Sequence, residues 1–133
     1  MHDDLTAIAR KCLDAAFAGT MDFPTIVGTL INAGFEGYDV DYRRSTSTFF
    51  QASGETVQLE MRTLAAPVAA SFNATDIERA VREAQTKAHG YTYAGFNAKL
   101  QAAGCAGYMV SFLGKRVAYF GRTAETHVEL FPQ

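Results

Sequence analysis

Glu125, His127 and Glu129 alternate along a short stretch near the end of the chain. Two carboxylates and an imidazole on one strand face form a donor set able to hold a divalent cation. The intervening Thr126, Val128 and Leu130 are the more apolar alternate set. That alternation predicts that they face the core and that the charged trio faces solvent. A second candidate is the pair Glu55 and Glu125, which follow corresponding turns in two similar stretches of chain. Carboxylates facing each other across a cleft between those stretches could act as general acid and base, if burial or the twin raised one pKa. Glu55, Glu125 and His127 are therefore the catalytic candidates, each with a plainer reading as a turn flank or a solvated strand position.

Other reactive types point away from catalysis. Cys12 and Cys105 sit among apolar neighbours and read as small buried hydrophobes, unpaired. His2 has no partner in sequence, and His89 reads as a cation at a helix C-terminus. Glycine-rich phosphate loops, nucleophile–His–Asp order cues and Cys pairs at metal spacing are missing. No cofactor is expected. Tyr38, Tyr42, Phe49, Phe50, Tyr108, Phe112, Tyr119 and Phe120 fill the strand regions, and half of them are expected on the core face. The rest could form a stacking platform for bases, but the basic residues such a platform needs are confined to the tips Arg43-Arg44 and Lys115-Arg116.

The elements that position these residues come from an internal duplication. Leu30-Ile31-Asn32-Ala33-Gly34-Phe35-Glu36-Gly37-Tyr38-Asp39-Val40 returns seventy residues on as Leu100-Gln101-Ala102-Ala103-Gly104-Cys105-Ala106-Gly107-Tyr108-Met109-Val110. Leu5, Ile8, Ala9, Cys12, Leu13, Ala16 and Phe17 recur at helical spacing, with Asp3 or Asp4 as cap and Gly19 as stop. A second helix spans about 23–33, capped by Asp22 and closed by Gly34 in a left-handed conformation. The period then changes to two. Tyr38, Val40 and Tyr42 share one face of a strand, and return strands follow at 46–52 and 56–61.

In the second copy, Thr75-Asp76-Ile77-Glu78 reads as a capping box opening a helix that Gly90 stops. Ile77 aligns with Ile8, a one-residue slip against the seventy-residue repeat. Thr92 caps the next helix, Gly104 closes it, and strands follow at 108–112, 117–121 and 126–131. The fold class is α+β: a duplicated helix–helix–three-strand unit, with antiparallel meanders and helices packed on the apolar face. Residues 1–133 form a single domain of two repeats, about 3–61 and 75–131. Segment 62–74 joins them as an ordered crossing in which Pro67 prevents a regular helix.

Composition narrows the function classes. Charged residues are 20% and apolar residues 48%, which excludes long disorder. A net charge of −2 with dispersed Lys and Arg gives no footprint for nucleic acid. Nothing approaches a membrane span, and Met1-His2-Asp3-Asp4 opens without a signal peptide, so a cytoplasmic protein is expected.

Two segments carry a family likeness: Phe23-Pro24 through Leu30, Ala33-Gly34, Tyr38 and Val40-Asp41-Tyr42, and Gly107-Tyr108 through Val110, Gly114-Lys115-Arg116-Val117 and Tyr119-Phe120-Gly121-Arg122. With the closing Glu125-Thr126-His127-Val128-Glu129 and Phe131-Pro132, the chain resembles an uncharacterised bacterial family often labelled "phage envelope protein". The resemblance implies no activity, cofactor or site residue. The expected function is a non-enzymatic binding or interaction module for an unknown small molecule or protein. Alternatives are a small enzyme with a site between the repeats and a phage-derived structural or accessory protein. The oligomeric state is open.

Overall fold

Two helix–helix–three-strand units share one sheet. The computed structural model describes residues 2–61 and 67–132. The first unit comprises α1 (His2–Ala18), α2 (Phe23–Asn32), β1 (Phe35–Asp41), β2 (Thr46–Gln51) and β3 (Thr56–Glu60). The second comprises α3 (Ala74–Thr86), α4 (Tyr93–Ala102), β4 (Cys105–Ser111), β5 (Arg116–Gly121) and β6 (Thr126–Leu130). The strands form a six-stranded antiparallel sheet in the order β3-β2-β1-β4-β5-β6. The helices cover the face that carries Tyr38, Val40, Phe49, Val57, Leu59, Tyr108, Val110, Val117 and Tyr119.

The two units join through β1 and β4. Asp39 pairs with Met109, its own counterpart in the repeat, so an approximate twofold axis passes between them. Tyr42 N donates to Ala106 O, and Phe112 N to Glu36 O, the same bond related by that axis. Both carbonyls belong to residues at β-bulges, between Phe35 and Gly37 and between Cys105 and Gly107. A Cβ on Gly37 would lie 2.4 Å from Val110 O, and one on Gly107 2.3 Å from Val40 O. The seam therefore requires glycine at both places, for closeness of approach.

Local signals shape the second helix of each unit as the sequence predicts. Asp22 accepts from Thr25 N at 2.9 Å, and Thr92 Oγ1 from Gly95 N at 3.0 Å. Gly34 (φ +93°) and Gly104 (φ +83°) are left-handed, and their amides donate to Ile31 O and Gln101 O. Hydrogen bonds to Thr25, with help from Lys87, pull the Asp22 carboxyl below its usual range.

The first helices differ from expectation. The described part of α1 begins at His2, so Asp3 and Asp4 lie inside its first turn, where they suit the dipole rather than cap. α3 is capped by Asn73, which accepts from Asp76 N, and not by a Thr75–Glu78 box. Asn73 N donates to Ala103 O at 2.8 Å, which pins this residue in an extended conformation and starts the helix directly after it. α3 ends at Thr86 with Lys87 left-handed, short of Gly90, which leaves His89 outside the helix.

Gly19 and Lys87 make matching bonds to Ala16 O and Ala84 O, as Thr20 and Ala88 do to Ala15 O and Glu83 O. The first helices are thus offset by sixty-eight residues, Ala18 matching Thr86, and the following loop is two residues longer in the second unit. The expected alignment of Ile77 with Ile8 gives way to Ile77 with Ala9, both fully buried. Of the connecting segment, residues 62–66 lie outside the described residues. Beyond them Val68 is buried and Ala69 N donates to Gln101 O.

The repeat makes its own controls. Ala124 has φ +65° where the first unit has Gly54 at +96°. Ala124→Gly should raise stability by about 1 kcal/mol, because a left-handed alanine is strained. Gly104→Ala should cost more than Gly34→Ala: its Cβ would meet the Ser71 carbonyl at 2.0 Å, whereas that of Gly34 meets the mobile end of Gln51 at 2.9 Å. Urea denaturation followed by tyrosine fluorescence and far-UV circular dichroism ranks the variants. Coincident transitions are expected for a shared sheet and core.

Candidate functional site

The last strand presents the opposite face to the one its own alternation suggests. Tyr119 pairs with His127 and Val117 with Glu129, so His127 and Glu129 turn inward with Tyr119 and Val117. Val128 and Leu130 lie on the open face, 47% and 60% exposed. The expectation of a solvent-facing charged trio is overturned. The cause is the turn before β6, where Gly121 N donates to Glu125 O and Ala124 N to Gly121 O. The first unit makes the same bonds from Gln51 N to Glu55 O and from Gly54 N to Gln51 O. Identical turns give identical faces, so His127 occupies the place of Val57 and Glu129 that of Leu59.

Around this pair lies a cleft of about 520 Å³ between α3 and β6. Glu129 is 8% exposed, and both its oxygens are engaged. Arg82 Nη1 donates to Oε1 at 3.1 Å, and His127 Nε2 lies 2.7 Å from Oε2. A carboxylate in so dry a place needs such partners, since an unpaired buried charge is very costly. Arg82 also donates to Gln85 Oε1 at 3.0 Å. The His127 ring tilts over Tyr119, with centroids 6.4 Å apart. Glu78, one turn before Arg82, brings its carboxylate into the group. One donor atom each from Glu78, His127 and Glu129 all lie within 4.8 Å of one another. Phe131 and Pro132 add an apolar wall.

The other candidates are dispersed. Glu125 is exposed at the β5–β6 turn, where it accepts from Thr123 Oγ1 at 2.7 Å, and it does not join the cluster. Glu55 sits at the β2–β3 turn, 3.7 Å from His2 Nδ1. The sheet order places these two turns at opposite ends of the strands and on opposite sides of the seam, so the carboxylates do not share a cleft. A smaller hollow of about 360 Å³ does lie where the repeats meet on the open sheet face. It contains Glu36, Glu55 and Met109, but neither Glu125 nor His127.

Cys12 and Cys105 are buried and unpaired. Burial raises both thiols, Cys105 to about 11 while its Sγ donates to Gly107 O, so neither is a ready nucleophile. Six of the eight strand aromatics face the core rather than half, leaving only Phe50 and Phe120 outward on separate strands. No stacking platform forms from them. Sequence reasoning missed Glu78 and Arg82, and only the contact of α3 with β6 reveals them. The inward turn of His127 and Glu129 had a signal in the repeat, because Val57 and Leu59 are the apolar alternates of β3.

Fold and site together define an internally duplicated α+β domain with a polar cleft at one sheet edge. The family model for a protein of unknown function, DUF1398, matches residues 7–129, from the first turns of α1 into β6, and the chain belongs to this family. No curated protein matches it. No helix among the described residues is long and apolar enough to cross a membrane.

The interior yields a pH prediction. Burial pushes the phenols of Tyr38, Tyr42, Tyr108 and Tyr119 well up, and that of Tyr93 to about 12. The native state thus holds these protons above the unfolded pKa of about 10. Their contribution to stability is complete below that pH and is lost as pH rises through the folded values. Tyrosinate absorbance should therefore rise steeply, together with loss of circular dichroism, as the chain unfolds in base. Gradual titration near pH 10 with the fold intact would contradict the burial.

Proposed function

We propose that the chain is a non-enzymatic, cytoplasmic binding module whose ligand site is the cleft between α3 and β6. One observation carries this reading: the carboxylate of Glu129 stands inward where the first repeat has Leu59. Full burial of a leucine contributes about 1.5–3 kcal/mol. A buried ion pair loses several kcal/mol per charge to desolvation before its partners offset that loss. The second repeat therefore carries a group that the fold does not need, on the wall of a cleft with an apolar rim. Few convergent polar groups in a partly apolar hollow are what a small-ligand site requires.

Two other readings have less behind them. A phage-derived structural or accessory role rests on sequence resemblance alone. An enzyme working between the repeats with Glu55, Glu125 and His127 would draw on residues that sit at three separate places in the fold.

The test replaces the polar pair with its counterparts from the first repeat. His127→Val combined with Glu129→Leu should keep the fold with no loss of stability, because two apolar side chains fill the inward positions and the half-exposed Arg82 can turn to water. Amide chemical shifts measured against a library of small amines, carboxylates and metal salts should move on α3 and β6 in the natural protein only. Shifts absent from the cleft, or unchanged in the double variant, would overturn the assignment.

A further inference from the structure

We infer that the α3–β6 cleft takes a divalent transition cation of the zinc class, held by Glu78, His127 Nε2 and Glu129 Oε2. This inference rests on the reading of the cleft as the ligand site and gives that site its ligand chemistry.

Three observations converge. The donors come from two elements and already lie within 4.8 Å of one another. Donors around a tetrahedral zinc at 2.0–2.2 Å stand about 3.3 Å apart, so turns of the side chains suffice to close on an ion. Glu78 is exposed and makes no hydrogen bond or ion pair among the described residues, so its carboxylate is free to swing inward. The charge balance favours a cation. The two carboxylates of Glu78 and Glu129 outnumber the one guanidinium of Arg82 beside them.

Donor chemistry selects the class of metal. One imidazole with two carboxylates suits zinc and its neighbours, whereas all-oxygen sets suit magnesium and calcium. The fourth position faces the open cleft, where water or a ligand atom completes the shell. Arg82 is the positioning residue. It holds Glu129 Oε1 at 3.1 Å and so presents Oε2 toward His127, the orienting contact that metal-binding carboxylates typically require. The 2.7 Å His127–Glu129 contact is then the apo form of the site: the ion takes both atoms, and the proton held between them is released to solvent.

The experiment uses the full chain, stripped with chelator and titrated with Co²⁺ followed by Zn²⁺. One equivalent of Co²⁺ should give the intense visible bands of four-coordinate cobalt, bleached by one equivalent of Zn²⁺. His127→Ala and Glu129→Gln should abolish the bands, and Glu78→Gln should weaken binding. Arg82→Gln should lower affinity by about 10-fold or more, because it acts through Glu129. His2→Ala and His89→Ala should bind as the natural protein does. Circular dichroism of Glu129→Gln, close in shape to the natural residue, separates lost ligation from lost folding. No stoichiometric uptake, or uptake that survives His127→Ala, would overturn the cation assignment. If cleft shifts with organic fragments persist without metal uptake, the ligand class fails and the cleft reading stands. If both are missing, both fail.

Discussion

Pairing of β1 with β4 holds the two repeats in one sheet, and most other features depend on it. A three-stranded meander on its own has two open edges and little core. Joining the first strands of two such meanders removes one edge from each and gives the helices a continuous apolar floor. The bulges at Glu36 and Ala106 aim carbonyls across the seam, and Gly37 and Gly107 allow the backbones to come close enough to use them. Both devices occur twice because an axis through the Asp39–Met109 pair makes the seam self-complementary.

Backbone symmetry persists where side-chain symmetry has gone. Turns, bulges and second-helix caps repeat with the same bonds, since any change there would unpair the main chain. At several positions facing the core the second unit carries the more polar side chain. On α4, Tyr93, Asn97 and Gln101 stand where α2 has Phe23, Val27 and Ile31. Tyr42 donates to Asn97 Oδ1 at 2.6 Å, and the Tyr93 and Tyr108 hydroxyls meet at 2.7 Å. These bonds tie α4 to β4 and to the residue that follows β1, so part of the specificity of the helix layer is polar and one-sided.

The edge cluster follows the same trend. β6 is a border strand, where side chains at the rim can keep one end near water. That position lets Arg82 remain half-exposed while it neutralises a nearly buried carboxylate. The equivalent edge in the first unit is apolar, with Val57 and Leu59 facing the helices. One architecture thus supports a plain hydrophobic edge and a polar cleft, and the difference lies in a handful of side chains.

Duplication, element order and helix termini such as Asp22, Thr92, Gly34 and Gly104 were legible from the chain alone. Their signals act within about four residues, the reach of a capping hydrogen bond or a left-handed closure. The start of α3 was not, because Asn73 takes its role from a bond to Ala103 in another element. The face of β6 was misread for a related reason. A strand's alternation gives two faces but not which of them is inward; its neighbour and the turn between them decide. The sequence supplied His127 and Glu129 and their spacing. Only the tertiary structure brought Glu78 and Arg82 to them and left Glu125 outside, because a helix and a strand meet by packing, which no local pattern encodes.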